Sequence, residues 1–346
     1  MLASVPSLAD TPDRSVITPL ATHSHSAPAH AGSKLSAADQ ALAALGRQLR
    51  ERGYRFTTIT PASHGRVNAR LPARAITLVD IFGWSRPFAE ADLPAALLVD
   101  LAEAGALDRS DGRLRSTVRF STLGDQLFAH SAFPTAQGDA VFFGPDTYRF
   151  ARALRQLIAT LQPRSSMRIL DIGAGSGAGG LHAATLLHAV SPQIVMSDIN
   201  HNALRFSRIN AALNDIPNVE VIESDLYAGV DGLFDLIISN PPYLVDPLAR
   251  LYRHGGGELG SALSVEIAKQ GIERLAPKGC LLLYTGSAIV DGVDALYESL
   301  RACSEHRAVR FSYEEIDPDV FGEELESPPY DRADRIAVVA AIMEVA

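Results

Sequence analysis

The chain has 346 residues, of which 47% are hydrophobic and 21% are charged, a length sufficient for two folded units with cores of their own. No apolar run reaches the roughly 20 residues of a membrane-spanning helix, and no basic and apolar leader opens the chain. Only two cysteines occur, so we expect a cytosolic protein with free thiols rather than a membrane protein or a disulfide scaffold.

Charge is distributed unevenly along the chain. Residues 37–140 carry 12 arginines against 11 acidic residues, whereas residues 141–346 carry 17 basic against 27 acidic residues. The acidic part argues against a broad nucleic-acid-binding face there. A group of amino-terminal arginines predicts either a solvated helix face or a docking surface for RNA, the ribosome or an acidic partner: Arg47, Arg50, Arg52, Arg55, Arg66, Arg70 and Arg74.

The amino-terminal region predicts a tail followed by a small domain. Residues 1–34 are rich in alanine, serine, proline and histidine without periodicity, which is typical of a flexible tail. Residues 35–140 predict a smaller α+β domain of a winged-helix-like kind that recognises the substrate or a partner. Its expected elements are a helix capped by Ser36, a helix over 93–107, and a hairpin that turns at Gly124-Asp125.

A glycine-rich turn follows the first apolar strand of the carboxyl-terminal part. Residues 167–177 read Met-Arg-Ile-Leu-Asp-Ile-Gly-Ala-Gly-Ser-Gly, which predicts the strand, turn and helix start of a doubly wound nucleotide-binding sheet. Gly173 and Gly175 permit positive φ and close approach of the backbone to a ligand. The same spacing also fits a nicotinamide-dependent oxidoreductase, or a tight turn with no ligand.

Three further predicted strands each end in a polar side chain. Asp198 ends the second strand, Asp225 ends the third, and Asn240 follows the fourth. Because the carboxyl ends of parallel strands meet at one edge of a sheet, we expect these side chains to share a ligand. A molecule with a ribose, an adenine amino group and a positive centre would suit them.

The tetrapeptide Asn240-Pro-Pro-Tyr243 predicts a site for a planar amino group. Consecutive prolines remove two backbone donors and stiffen the turn, which leaves carbonyl oxygens and the Asn240 amide directed into a cleft. Tyr243 adds a planar face for stacking. An amide or heteroaromatic amino nitrogen is a weak nucleophile, because its lone pair is delocalised. Two acceptors that hold its protons opposite an electrophile favour the transition state.

The order and spacing of these motifs resemble the class I S-adenosylmethionine-dependent methyltransferases of the NPPY amino-methylating branch, and within it the HemK-type protein-glutamine N5-methyltransferases. The resemblance covers about residues 141–290. It implies an α/β, Rossmann-like domain over 141–346 with a doubly wound, seven-stranded sheet. The motifs that carry it are Gly144-Pro-Asp-Thr-Tyr148, Asp171–Gly177, Ser197-Asp-Ile-Asn200, Ser224-Asp-Leu-Tyr227 and Asn240-Pro-Pro-Tyr243. The last glutamate of the family's Pro-x-Pro-Asp-Thr-Glu motif is Tyr148 here.

The resemblance also implies residue roles. The residues expected to bind the cofactor S-adenosylmethionine are Thr147, Asp171, Gly173, Gly175 and Gly177 at its methionine end, Asp198 at its ribose, and Ile199, Asp225 and Leu226 at its adenine. The residues expected to hold the acceptor nitrogen are Asn240, Pro241, Pro242 and Tyr243, and Asn240 is expected to contact the cofactor as well. No metal is expected, because the sulfonium donor is already activated.

The carboxyl-terminal end predicts the remaining strands and a lid. Cys280–Tyr284 is the expected fifth strand, and 309–316 with 336–345 fit the antiparallel pair that closes such sheets in the family. The long acidic connection over 317–335 predicts a lid that selects the substrate.

The leading function hypothesis is methylation of a glutamine side chain in a protein substrate such as a release factor or a ribosomal protein. The alternative is N6-methylation of adenine in RNA or DNA, which needs the same amino-group geometry and a flipped base. No membrane partner is expected, and the sequence is silent on the oligomeric state.

Overall fold

Helices followed by two hairpins form the amino-terminal part of the chain. The computed structural model describes residues 34–71, 75, 77–110, 112–135, 137–248, 250–307 and 309–345, so almost all of the predicted tail lies outside the described residues. The elements are α1 (Ala37–Glu51), α2 (Pro61–Asn68), α3 (Leu78–Phe82), α4 (Ala95–Glu103), β1 (Leu107–Ser110), β2 (Arg113–Ser116), β3 (Val118–Leu123) and β4 (Gln126–Ser131).

Local sequence explains where these elements begin and end. Ser36 caps α1, since its hydroxyl accepts a hydrogen bond from the Asp39 backbone N–H at 3.1 Å. The predicted second helix is present but ends earlier, at Glu103, because Gly105 adopts a φ of +64° and β1 begins two residues later. The β3–β4 hairpin turns at Gly124 and Asp125, as expected.

Alternating strands and helices follow from residue 145. They are α5 (Pro145–Ile158), β5 (Arg168–Ile172), α6 (Ala178–Leu186), β6 (Gln193–Asp198), α7 (His201–Leu213), β7 (Val219–Glu223), β8 (Phe234–Ser239), α8 (Ala262–Ile272), β9 (Leu275–Val290), β10 (Val293–Asp294), α9 (Ala295–Arg307), β11 (Arg310–Asp317) and β12 (Arg335–Glu344).

The main sheet has the strand order β11-β12-β9-β8-β5-β6-β7, and the short β10 folds back on β9. Neighbouring strands from β9 to β7 are parallel, whereas β12 pairs antiparallel with both β9 and β11. The predicted doubly wound sheet and its closing antiparallel pair are therefore confirmed. The strand order reverses at β5, whose neighbours are β6 and β8, so the expected ligand cleft lies at the carboxyl end of β5.

Side chains of the central strands alternate between two cores, as the period of a β-strand requires. Ile169 and Leu236 face the core built with α5 and α6. Leu170 and Ile237 face the opposite core, which includes Ile267 of α8. Helices thus cover both faces of the sheet, which explains why its strands read as continuous apolar runs.

A third core joins the amino-terminal elements to α7, and residues 34–346 form one compact unit. Arg205 of α7 pairs with Asp39, and the Asn210 side chain exchanges two hydrogen bonds with the backbone of Ala129, at 2.7 and 2.9 Å. The domain boundary at residue 140 stays a prediction. Among the described residues, no helix is both long and apolar enough to cross a membrane.

Candidate active site

A cavity of about 600 Å³ opens at the carboxyl ends of β5, β6, β7 and β8. Its size falls within the ordinary range of small-molecule sites, about 300–1,000 Å³. All of the predicted site residues except Asp171 and Gly177 line it: Thr147, Gly173, Gly175, Asp198, Ile199, Asp225, Leu226, Asn240, Pro241, Pro242 and Tyr243. The structure therefore brings together groups that lie almost one hundred residues apart in sequence.

The glycine turn after β5 presents its backbone to the cavity. Gly173 and Gly175 have φ values of +67° and +56°, and a Cβ added at either position would meet no atom within 4 Å. The turn is fastened to the next strand, because the Gly173 N–H donates to the Ser197 carbonyl at 2.8 Å. A ligand can therefore approach this backbone more closely than side chains would allow.

Asp198 ends β6 and holds the turn with its carboxylate. Its two oxygens accept backbone hydrogen bonds from Gly175 and Asn200, each at 2.9 Å. Burial raises the pKa of Asp198, and these hydrogen bonds partly oppose that rise. The next side chain, Ile199, is 51% exposed although it is apolar. The pair offers a carboxylate for hydroxyl groups beside a flat apolar surface.

Asp171 and Gly177 lie behind the turn and do not line the cavity. The Asp171 carboxylate accepts a hydrogen bond from the Gly180 N–H in the first turn of α6, at 2.7 Å. Burial raises the pKa of Asp171 to about 7, and the nearby Asp198 adds to the rise. Gly177 has a φ of +77°, and a Cβ there would stand 3.0 Å from the Met196 sulfur. Both residues therefore support the turn.

A tight turn after β7 places Asp225 and Leu226 at the cavity. The Ser224 hydroxyl donates to the Leu226 carbonyl at 2.8 Å and accepts from the Gly229 N–H at 2.9 Å. Leu226 adopts a φ of +50°, which is uncommon for a residue with a side chain. The bonds to Ser224 hold this conformation in place.

Asn240 enters the cavity beside the glycine turn because the ends of β8 and β5 are tied together. The Ser239 hydroxyl, which is fully buried, donates to the Ile172 carbonyl at 2.8 Å. Asn240 and Gly173 are the residues that immediately follow these two partners. The predicted juxtaposition of the amide with the glycine turn is thus built into the sheet.

Tyr243 is more enclosed than the sequence suggested. Its ring packs on Gly286 of β9, where a Cβ would collide with it, and lies edge-on to Phe321 at 6.0 Å. Burial raises the pKa of the Tyr243 hydroxyl. That hydroxyl makes no hydrogen bond of normal geometry with any described residue, although it lies beside the Asp146 carboxyl.

Asp146 also lines the cavity, although no role is predicted for it from the sequence. It lies in the first turn of α5 and accepts hydrogen bonds from the Tyr284 hydroxyl at 3.2 Å and the Arg149 guanidinium at 3.3 Å. Its neighbour Thr147 accepts from the Gly144 N–H at 3.3 Å. The available signal was the Pro-Asp-Thr motif, in which only the threonine was assigned a contact.

The loop after Tyr243 forms one wall of the cavity and is held by ion pairs. Buried Asp246 accepts hydrogen bonds from Arg250 at 2.6 and 2.9 Å, and these bonds lower the pKa of Asp246 to about 2. Tyr252 donates its hydroxyl to the Thr135 carbonyl at 2.8 Å and stacks on Phe142 at 5.9 Å. The amino-terminal part of the chain therefore completes this wall.

The acidic connection over 317–335 covers part of the same region. Phe321 and Glu323 line the cavity, and Glu324 pairs with Arg253 of the opposite loop. Tyr330 is buried and accepts a hydrogen bond from the Val245 N–H at 2.9 Å. These contacts fasten the segment beside the Asn240 end of the cavity, and its action as a lid stays a prediction.

Several arginines of the amino-terminal group interact with their own chain. Arg47 donates to the Ala212 carbonyl at 3.2 Å, Arg50 pairs with Asp215 at 3.4 Å, and Arg55 donates to the Gly124 carbonyl at 2.8 Å. Arg74 lies outside the described residues. These contacts favour the solvated helix face over a docking surface.

Comparison with known proteins gives one family match and several partial relatives. Residues 147–308 match the family model named "Methyltransferase small domain". A release factor glutamine methyltransferase of Deinococcus radiodurans is 36% identical over 146 residues, which are 38% of this chain and 48% of that protein. The same enzyme of Lactococcus lactis is 30% identical over 159 residues, 42% of this chain and 57% of that protein. The ribosomal RNA small subunit methyltransferase C of Serratia proteamaculans is 40% identical over 89 residues, about a quarter of either chain. The chain thus spans about half, or less, of the length of the curated relatives it matches.

Proposed function

We propose that this chain, which carries a class I S-adenosylmethionine-dependent methyltransferase domain over residues 147–308, methylates the side-chain nitrogen of a glutamine in a protein. The family match confirms the methyltransferase and its cofactor as expected from the motifs. The observation that carries the proposal is the single cavity shared by the glycine turn and Asn240. Donor and acceptor sites are thereby continuous, as direct methyl transfer requires.

The residues around the turn fit S-adenosylmethionine. The open space in front of Gly173 and Gly175 accommodates its methionine end, the Asp198 carboxylate can accept from a ribose diol, and exposed Ile199 offers a surface for the adenine. When bound, this cofactor supplies a methyl carbon that a sulfonium makes electrophilic. The protein then needs to contribute binding and orientation rather than activation.

The acceptor end of the cavity suits an amide. The Asn240 side-chain oxygen and the Pro241 carbonyl would each accept one proton of an NH2 group, which directs the nitrogen lone pair out of the amide plane. Two prolines make this turn rigid, so little reorganisation accompanies the reaction. The buried Tyr243 ring limits the space beside the nitrogen.

The charges around the cavity favour a protein acceptor over a nucleic acid. Four of its lining residues are acidic, namely Asp146, Asp198, Asp225 and Glu323. The two lining arginines, Arg250 and Arg253, are both engaged in ion pairs, with Asp246 and Glu324. A phosphate backbone would therefore meet few free cations in the described wall, whereas nucleic-acid affinity depends on them.

An adenine amino group in RNA is the second candidate. The similarity to an enzyme named for ribosomal RNA, together with the stacked Phe142 and Tyr252 in the cavity wall, favours it. Aromatic walls are common where an unstacked base is held.

Labelled donor distinguishes the two acceptors. The purified protein is incubated with radiolabelled S-adenosylmethionine and with separate protein and RNA fractions of a bacterial lysate. We expect protease-sensitive, nuclease-resistant label that total enzymatic hydrolysis releases as N5-methylglutamine. Label that appears only in nuclease-sensitive material, as N6-methyladenosine, would contradict the glutamine proposal and support the second candidate.

A further inference from the structure

Asp146 occupies a position that the donor and acceptor roles above leave unexplained. Its carboxyl lines the cavity in the first turn of α5, yet the side chain is only 14% exposed. A carboxylate is seldom buried without a partner or a function. Here three different elements bring groups to it: Arg149 from α5, Tyr284 from β9, and Tyr243 from the turn after β8.

A second observation at the same place is the Tyr243 hydroxyl. It is buried, belongs to the acceptor tetrapeptide, and has no hydrogen-bond partner among the described residues although Asp146 lies beside it. Buried hydroxyl groups are normally paired. The Asp146 carboxyl beside it lines the cavity and is therefore the member of this pair that a ligand can reach.

The chemistry of the proposed reaction requires a proton acceptor at this end. When an amide nitrogen forms a bond to the methyl carbon, the carbon–sulfur bond breaks and its electron pair remains on sulfur. The nitrogen then carries a positive charge and must lose one of its protons. A carboxylate that takes this proton as the new bond forms lowers the barrier, and such general bases contribute about 10²–10⁴-fold in rate.

We infer that Asp146 is the proton acceptor of the methyl-transfer step and that it touches the acceptor amide. This inference rests on the proposed function. Asn240 and the Pro241 carbonyl hold the two NH2 protons before the transfer. As the nitrogen bonds to the methyl carbon and becomes tetrahedral, one of these protons shifts from its acceptor to an Asp146 oxygen, and the other stays on the nitrogen. The protonated Asp146 then releases this proton to solvent before the next turnover, so the proton balance closes without another reactant.

The surroundings of Asp146 determine the pH dependence. Burial raises the pKa of Asp146 above its ordinary value, and the nearby Tyr243 hydroxyl, the Arg149 guanidinium and the Tyr284 hydrogen bond oppose the rise. Asp317 of β11 also bears on it, since it pairs with Arg149 at 2.9 Å. Only the ionised carboxylate can take a proton. The rate should therefore rise with pH, with a midpoint above that of an ordinary aspartate, and then level off.

The test compares three variants in single-turnover methyl transfer from the radiolabelled donor to the protein fraction of the lysate, with donor affinity measured by calorimetry. For Asp146→Asn we expect a rate about 100-fold below that of the wild type, without the rise of the rate with pH, and a donor affinity within about threefold of the wild-type value. Tyr284→Phe keeps the carboxylate but removes a hydrogen bond that stabilises its charge, so the midpoint of the rise in rate should move to higher pH. Glu90→Gln removes an exposed acid that pairs with Arg109 and does not line the cavity, so it should leave the pH dependence of the rate unchanged.

Two results separate the failures. The role of Asp146 is overturned, while the function stands, by either of two results. One is an Asp146→Asn protein whose methyl-transfer rate is within threefold of the wild-type rate. The other is a Tyr284→Phe protein whose pH–rate profile has an unshifted midpoint. A wild-type protein that binds the donor but labels only RNA, or neither fraction, overturns the proposed glutamine function, and the inference about Asp146 is lost with it.

Discussion

Asn240 and Asp198 line the same cavity, but Asn240 follows β8 and Asp198 ends β6, and these two strands flank β5 on opposite sides. Asn240 is positioned by the Ser239–Ile172 tie, whereas Asp198 is bonded to the glycine turn itself. At the scale of single residues, the site therefore divides into a part that holds the reacting nitrogen and a part that holds the donor. Substitutions in the two parts should separate rate from affinity.

Asn240→Ala should lower the rate of methyl transfer by about 100-fold or more, because one acceptor of the developing positive charge is lost. Donor affinity should stay within about threefold, since Asp198 and the glycine turn are untouched. Single-turnover kinetics and calorimetry measure the two quantities. Gln193→Ala, an exposed amide at the opposite end of β6, is the matched control and should change neither. Unchanged turnover in Asn240→Ala would remove the basis for the acceptor site.

Asp198→Ala should act first on the donor. The substitution removes a carboxylate expected to bind two ribose hydroxyl groups, and hydrogen bonds to charged groups contribute about 1.5–3 kcal/mol, or roughly 10- to 100-fold in Kd. At saturating donor, the rate should recover to a large fraction of the wild-type value. Asp215→Ala, at an exposed ion pair with Arg50, serves as the control. A normal donor Kd in Asp198→Ala would place the ribose elsewhere.

At the scale of elements, a pair of glycine substitutions separates two reasons for a glycine in the turn after β5: its positive φ and the approach of the donor to its backbone. Gly175 and Gly105 both have positive φ, +56° and +64°, and an added Cβ would meet nothing at either. Alanine should therefore cost a similar 1–2 kcal/mol of stability at both positions. Only Gly175→Ala extends into the cavity, so only it should weaken donor binding, by about tenfold or more. Thermal unfolding measures the stability of both variants, and calorimetry measures their donor affinity. Equal donor affinity in the two variants would contradict the assignment of the turn as a donor site.

The conformation of the loop after β8 depends on Asp246, whose carboxylate is bonded to the backbone and the guanidinium of Arg250. Asp246→Asn leaves the Arg250 guanidinium without its charged partner, so the opening free energy of residues 246–254 should fall by about 1.5–3 kcal/mol. Because the pKa of Asp246 is lowered to about 2, its contribution is complete above the ordinary aspartate pKa and is lost only as the pH falls towards 2.

Hydrogen exchange measured at neutral pH checks this expectation. Exchange should accelerate in residues 246–254 of Asp246→Asn and stay unchanged in the sheet. Glu258→Gln, at an exposed acid of the neighbouring loop, provides the comparison and should exchange as the wild type does. A sheet that exchanges faster as well would show that Asp246 supports the whole fold rather than the loop.

The elements of the sheet were predictable because burial on both faces gives uniform apolar runs. The exceptions have local causes. The fifth strand was expected to end at Tyr284, since Thr285, Gly286 and Ser287 interrupt its apolar run. In the structure β9 continues to Val290, because β12 pairs with residues 280–289 of this strand and the Tyr243 ring fills the space over Gly286. Such pairing is a tertiary effect that the local pattern does not contain.

At the scale of the whole molecule, the predicted residues that line the cavity either end or follow strands or belong to short motifs, such as the Pro-Asp-Thr segment that contains Thr147. Gly173, Asp198 and Asn240 could be located because the topology of a doubly wound sheet brings strand ends together. Phe142 and Phe321 reach the cavity from distant segments, and although the 317–335 connection is predicted to be a lid, neither aromatic residue is singled out by its local sequence. Their positions depend on how the amino-terminal part and the 317–335 connection pack, which no local motif specifies.

The packing of α1 on α7 makes the amino-terminal elements part of the same cooperative unit, and two helical glycines test this. A Cβ on Gly46 would stand 2.7 Å from a terminal carbon of Leu213 and 3.0 Å from the Phe120 ring, both fully buried, whereas a Cβ on Gly65 would meet nothing. Gly65→Ala should stabilise the protein by about 0.5–1 kcal/mol through helix propensity. Gly46→Ala should instead destabilise it by about 1–3 kcal/mol, because the core cannot expand freely.

Thermal unfolding is followed by circular dichroism and, in parallel, by loss of binding of the donor S-adenosylmethionine. Gly46→Ala should lower the midpoint temperature of a single transition that both measurements share. Separate transitions for the two parts, or equal stabilisation by both substitutions, would mean that the α1–α7 contact does not couple them.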